Sequence, residues 1–151
     1  MREKLNSELK HSIINKNLIS VKTLRLILAA IKDRDIVARS SGNSSGIEED
    51  EIISLLKKMI KQREESIVLY KKGNRLDLVK SEEDEIKIIS SFLPEQLSVE
   101  EIKKIVSDTV KSEGASSIKE MGKVITKLKE NYPQNMDFAF ASKILKKILL
   151  K

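Results

Sequence analysis

Apolar residues recur every three or four positions along nearly the whole chain, and no stretch alternates apolar and polar residues at the period of a strand. This pattern predicts an all-α protein. In the first 93 residues it marks four helical segments, which run over 2–16, 18–40, 48–72 and 76–92. Each segment has one apolar stripe to bury, in the first helix through Leu5, Leu9 and Ile13, and four such helices can close a bundle.

After Pro94 the helices are shorter and begin with capping signals. The segments Ser98-Val99-Glu100-Glu101 and Ser117-Ile118-Lys119-Glu120 are capping boxes, in which the serine hydroxyl and the glutamate carboxylate satisfy free amides of the first turn. We expect the apolar residue that follows each serine to face inward with the rest of its stripe. A third helix can start at Asp137.

The change at Pro94 also predicts the domain organisation. Pro94 disfavours helix at the residue before it, and three capped helices follow it. We therefore expect an N-terminal four-helix domain over 1–93 and a small three-helix bundle over 94–151.

Charge is unevenly distributed along the chain. The 151 residues contain 29 Lys/Arg and 23 Asp/Glu, a formal net charge of +6. Residues 1–47 hold nine basic and four acidic side chains, and residues 123–151 hold seven and two, whereas the middle of the chain is net acidic. If the basic ends share a face, that face can hold an RNA backbone through phosphate contacts. A solvated lysine-rich surface is the alternative.

The sequence favours a soluble, cytoplasmic protein without a membrane partner. Its longest uninterrupted apolar run, Leu26 to Ile31, is far shorter than the roughly 20 residues that span a bilayer. The first four residues do not resemble the start of a signal peptide.

Residues for ordinary catalysis are scarce. The chain has no cysteine, and its one histidine, His11, lies on a charged helix where we expect it to be exposed. The carboxylates of Glu82-Glu83-Asp84-Glu85 point to different sides of a helix, so we expect a solvated face rather than a metal site. The helix starts at Ser98 and Ser117 could take a phosphate, with ordinary capping as the alternative. We therefore expect no catalytic residue, no metal site and no cofactor.

Four stretches together resemble the YqeY family. They are Phe92 to Ser98, Gly114 to Ile125, Lys22 to Ile31 and Lys61 to Ser66. The same C-terminal module resembles the tail of the GatB subunit of tRNA-dependent amidotransferases. The resemblance implies a helical N-terminal domain followed by a three-helix domain, and a tail that holds tRNA. It also brings the family label of a carbon–nitrogen ligase with glutamine as amido-N-donor.

One turn departs from the family pattern. Between the last two helices the family has a Gly-Arg-Ala-Asp-Gly-Lys-like turn, whereas residues 131–137 here keep the acidic residue but lack the arginine and the glycines. If that arginine contacts RNA in relatives, this chain lacks the contact.

The first functional hypothesis is a non-catalytic module that binds tRNA or another RNA. We predict that its phosphate contacts are Lys123, Lys127, Lys129, Lys143, Lys146 and Lys147. The neighbouring Gly122 is expected to permit tight helix packing, with close approach of an RNA backbone as the alternative.

The second hypothesis is a protein-interaction module. In it, Tyr132, Phe138 and Phe140 dock on an amidotransferase component, a synthetase or a second copy of the chain. A third, enzymatic hypothesis requires the chain alone to release ammonia from glutamine or to amidate a charged tRNA, and the scarcity of catalytic residues disfavours it.

Overall fold

The computed structural model describes residues 1–150, which contain seven α-helices and no strand. The all-α prediction is therefore confirmed. The chain divides into two compact units, of which the first is Met1–Leu93 and the second begins at Pro94. No helix in the described range is both long enough and apolar enough to cross a bilayer.

The first unit contains four helices. They are α1 (Arg2–Ile14), α2 (Leu18–Ser40), α3 (Glu49–Lys72) and α4 (Leu76–Ser90). Helix α3 packs along α4, α1 packs along α2, and α2 contacts both α3 and α4. The helices enclose a core that includes Leu5, Leu24, Ile27, Ile31, Ile52, Leu56, Met59, Ile89 and Phe92.

The stripe of α1 stops short of its predicted end. Leu5 is fully buried and Leu9 packs against the core, but Ile13 is 49% exposed, so the expectation that it faces the core is wrong. Ile13 lies in the last turn of α1, beyond the part of the helix that packs on the core.

A polar cluster fastens the start of α1 to α2 and to the α2–α3 loop. Arg2 donates to both carboxylate oxygens of Asp35, at 2.7 and 2.8 Å, and to the Ile47 carbonyl at 2.9 Å. The Ile47 amide in turn donates to Asp35 Oδ1 at 2.8 Å. The hydrogen bonds from Arg2, with that from the Ile47 amide, lower the pKa of Asp35 to about 2.

The acidic run on α4 is not wholly solvated, and this corrects the sequence prediction. Glu85 is buried, and it accepts a hydrogen bond from Arg63 Nε of α3 at 2.8 Å. Lys22 Nζ of α2 lies 3.5 Å from the other carboxylate oxygen of Glu85. Glu85 therefore links three helices through one carboxylate. Burial, reinforced by the charge of Glu85, raises the pKa of the nearby Glu82.

The second unit contains three helices and one short turn. They are α5 (Val99–Glu113), a 3₁₀ turn (Ile118–Glu120), α6 (Met121–Asn131) and α7 (Phe138–Leu149). All three helices contact one another. Their core consists of Ile102, Val106, Val110, Val124, Leu128, Met136, Ala141, Leu145 and Leu149.

Both predicted capping boxes form. The Ser98 amide donates to Glu101 at 2.7 Å and the Glu101 amide donates to Ser98 Oγ at 3.2 Å. The second box opens the 3₁₀ turn rather than α6 directly. The inward placement of Val99 and Ile118 is wrong, because these residues are 46% and 42% exposed. Each is the first residue after a capping serine, at the end of its stripe and outside the core.

Candidate nucleic-acid interface

All six predicted lysines are exposed on the second unit, three on α6 and three on α7. Between residues 121 and 150 the only acidic side chains are Glu130 and Asp137. The Asp137 side chain caps α7 by accepting from the Phe140 amide at 3.1 Å. This part of the described chain is therefore strongly basic.

The lysines of α6 do not share one surface. Lys123 and Lys127 are four residues apart and lie on one side of the helix, whereas Lys129 lies on another. Lys123 Nζ is 3.5 Å from a carboxylate oxygen of Glu113 and donates to the Glu113 carbonyl at 3.3 Å. Lys129 Nζ lies 5.9 Å from the centre of the Phe138 ring. Two of these three ammonium groups thus already have partners within the unit.

The lysines of α7 line one surface groove where α5 and α7 pack together. We call it the α5–α7 groove, and its volume is about 740 Å³. The groove is lined by Val99, Lys103, Phe140, Lys143, Ile144, Lys146, Lys147, Ile148 and Leu150. Lys103 was not among the predicted residues, although its position four residues after the exposed Val99 places both on one face of α5.

The aromatic residues of the protein-interaction hypothesis are half-buried. Tyr132, Phe138 and Phe140 all pack against the core of the second unit. Of the three, Phe140 also lines the α5–α7 groove.

Gly122 does not serve tight helix packing, so that expectation is wrong. A Cβ atom built on Gly122 would meet no atom within 4 Å, and the residue is exposed in the first turn of α6. Neighbouring helices do not approach α6 at this point. Close approach of an RNA backbone stays a prediction.

The helix starts at Ser98 and Ser117 are occupied by ordinary capping. Glu120 Oε2 accepts from the amides of Ser116 and Ser117, at 2.7 and 3.1 Å. These amide hydrogen bonds lower the pKa of Glu120, as the Ser98 amide does for Glu101. A carboxylate that stays charged at each start would repel a phosphate.

The turn that departs from the family pattern is bound to the segment before α5. Leu97 donates its amide to the Asn135 carbonyl at 3.0 Å, and the Asn135 side chain donates to the Glu95 carbonyl at 2.8 Å. Gln96 Nε2 donates to the Gln134 carbonyl at 2.9 Å. In this chain the turn therefore fixes the position of the segment that precedes α5.

His11 lies on α1 of the first unit and is exposed, as predicted, with its Nε2 2.8 Å from Asn15 Nδ2. Within residues 1–150, no group of three or more histidine, aspartate or glutamate side chains is placed to hold a metal ion.

Comparison with known proteins identifies one family model and several curated relatives. The family model described as Yqey-like protein matches residues 2–149. Several curated relatives carry the name altered inheritance of mitochondria protein 41, mitochondrial. The protein from Vanderwaltozyma polyspora is 29% identical over 124 residues, which are 78% of this chain and 64% of the relative. The protein from Lachancea thermotolerans is 37% identical over 89 residues, 59% of this chain and 46% of the relative. The protein from Saccharomyces cerevisiae is 33% identical over 95 residues, 63% of this chain and 49% of the relative.

The chain thus spans less than two thirds of the length of these relatives. Their names describe mitochondrial proteins, and the cytoplasmic location expected for this chain stays a prediction. The family model, by contrast, covers nearly every residue, including all seven helices. This chain therefore belongs to the YqeY family of Yqey-like proteins.

Proposed function

We propose that this chain is a non-catalytic RNA-binding module, with tRNA as the expected RNA. The observation that carries the proposal is the set of six exposed lysines on α6 and α7, in a stretch with only two acidic residues. Lysine ammonium groups bind phosphates as point charges and release condensed counterions from the nucleic acid. The resemblance to the tRNA-holding tail of GatB supports tRNA over other RNAs.

The six lysines are expected to contribute unequally to phosphate binding, because some of them already have partners within the unit. A phosphate at Lys123 would compete with the Glu113 carboxylate, and Lys129 is held over Phe138. Lys143 and Lys147 are four residues apart on one face of α7, with Lys146 beside them. We therefore expect the α7 lysines to contribute most of the phosphate binding.

A tRNA titration at several salt concentrations tests this ranking. The variant K143Q/K146Q/K147Q removes three charges from α7, and K72Q/K80Q/K87Q removes three exposed charges of the first unit, outside its basic N-terminal stretch, as a matched control. If each α7 lysine contacts a phosphate, the slope of log K against log salt falls by about 2 to 3 in the first variant, and affinity falls at least about tenfold. The control keeps the wild-type slope. Equal losses in the two variants would show that net charge alone attracts the RNA.

The protein partner is a separate question. The hypothesis from sequence names an amidotransferase component or a synthetase. Purification from the host with and without nuclease, followed by RNA sequencing and identification of co-purifying proteins, distinguishes RNA binding from protein binding. RNA that is recovered by wild type and lost in K143Q/K146Q/K147Q supports the proposal, whereas recovery of proteins alone contradicts it.

A further inference from the structure

The floor of the α5–α7 groove is apolar, and phosphate binding does not require an apolar floor. It is formed by Val99, Phe140, Ile144, Ile148 and Leu150. Val99 is 46% exposed and Leu150 is 63% exposed, so part of this apolar surface lies open to solvent within the folded chain. Exposed apolar surface rimmed by charged residues is typical of a docking site.

The rim of the groove has one sign of charge. Lys103 lies on α5, and Lys143, Lys146 and Lys147 lie on α7, while none of the described residues that line the groove is acidic. A segment that fills the groove would gain most if it paired acidic side chains with this rim.

We propose that the α5–α7 groove binds an acidic amphipathic helix of a partner protein. The apolar face of that helix covers the floor, and its aspartate and glutamate side chains meet the lysines. From Phe140 to Ile148 the floor extends along nine residues of α7, and the eight rises between them, at 1.5 Å each, give a length of about 12 Å. Two turns of a docked helix cover that distance, which allows three apolar anchors at spacings of three and four residues.

The composition of the floor favours a protein helix over RNA. Unpaired bases stack on aromatic faces, and the floor has one half-buried aromatic residue, Phe140, beside four aliphatic ones. Aliphatic side chains instead match the leucines and isoleucines of an amphipathic helix. The proposal does not depend on RNA binding.

Binding of synthetic peptides to the full chain tests the proposal. The probe is a fluorescent helical peptide with leucines spaced three and four residues apart and glutamates on the other positions. One control peptide has lysine in place of every glutamate, and another has the acidic composition in scrambled order. We expect saturable binding of the acidic amphipathic peptide, and binding at least about tenfold weaker for both controls.

Variants at two exposed positions distinguish binding to the apolar floor of the groove from binding to the lysines alone. The variant V99S/L150S changes apolar residues that lie outside the core, so we expect it to fold. It should bind the acidic peptide about tenfold more weakly and keep wild-type tRNA affinity. V68S/L69S changes two similarly exposed apolar residues of the first unit, 53% and 66% exposed, and should bind the peptide like wild type.

Four outcomes would overturn the inference. They are equal binding of the scrambled peptide, unchanged peptide binding by V99S/L150S, concentration-dependent NMR shifts in the groove without peptide, and groove-dependent binding to vesicles of anionic lipid. The last two would assign the groove to a second copy or to a membrane. If the tRNA titration fails while the peptide results hold, RNA binding alone is refuted.

Discussion

Two glycines of the α2–α3 loop provide a matched test of the polar cluster around Asp35. Both have positive φ, +84° at Gly46 and +96° at Gly42. A Cβ on Gly46 would lie 2.8 Å from Asp35 Cγ and 3.3 Å from Arg2 Nη2, whereas a Cβ on Gly42 would meet nothing within 4 Å. The variants G46A and G42A therefore share the backbone strain and differ in the collision with Asp35.

The expected magnitudes follow from these two terms. A non-glycine residue in left-handed backbone costs roughly 1–2 kcal/mol, and this applies to both variants. The overlap at Gly46, which is buried, adds about 1–3 kcal/mol because the neighbouring side chains must shift. The loss of unfolded-chain entropy on replacing glycine is common to both and cancels in the comparison. We therefore expect G46A to be less stable than G42A by about 1–3 kcal/mol.

Urea unfolding followed by circular dichroism measures this difference. Both positions lie in the first unit, so both variants report on the same transition. In a D35A background the two alanine variants should become nearly equal, because the colliding carboxylate is gone. Equal stabilities of G46A and G42A with Asp35 present would refute the assigned packing of Gly46 against Asp35.

Four further variants have defined outcomes. E85A leaves the half-buried Arg63 without its carboxylate partner and should lower the unfolding free energy by about 3–5 kcal/mol, whereas K22A, which removes an exposed ammonium, should cost less than about 1 kcal/mol in the same urea assay. The pKa of Asp35 is lowered from 3.8 to about 2, so its contribution to stability is full above pH 3.8 and is lost as the pH falls through about 2. Acid unfolding of D35N should lack that component. G122A should stabilise the second unit by about 0.5–1 kcal/mol in thermal melts, and a loss of stability would show packing that the structure does not have.

Apolar periodicity predicted the helices and failed at their ends. The spacing of apolar residues fixes the direction of a side chain around the helix axis, but it does not show how far along the axis a neighbour extends. Ile13, Val99 and Ile118 continue their stripes and are all exposed, because each occupies a terminal turn outside the packed part of its unit. Met136 shows the converse: it is buried in a loop that has no helical period.

Glu85 shows a different limit. Within a run of four acidic residues its local sequence gives no reason to bury it, since its cationic partners come from two other helices. One signal was available: Glu85 lies four residues before Ile89, on the buried stripe of α4. A charged residue on a stripe position needs a buried partner, and Arg63, 22 residues away, could be assigned only after α3 was packed against α4.

The grouping of the lysines of α6 and α7 likewise depends on how the helices pack. Counting charges along the chain adds all the lysines of α6 and α7 into one basic segment, whereas the fold divides them. Lys123 and Lys129 have partners within the unit, and the α7 lysines meet Lys103 across a groove. The surface between the lysines then distinguishes the two ligands. A phosphate backbone needs only the ammonium groups, whereas an acidic helix also needs the apolar floor. Neutralising the lysines would weaken the binding of both ligands. Replacement of the exposed apolar residues Val99 and Leu150 should weaken only the binding of the helix, and V99S/L150S is therefore the variant that distinguishes them.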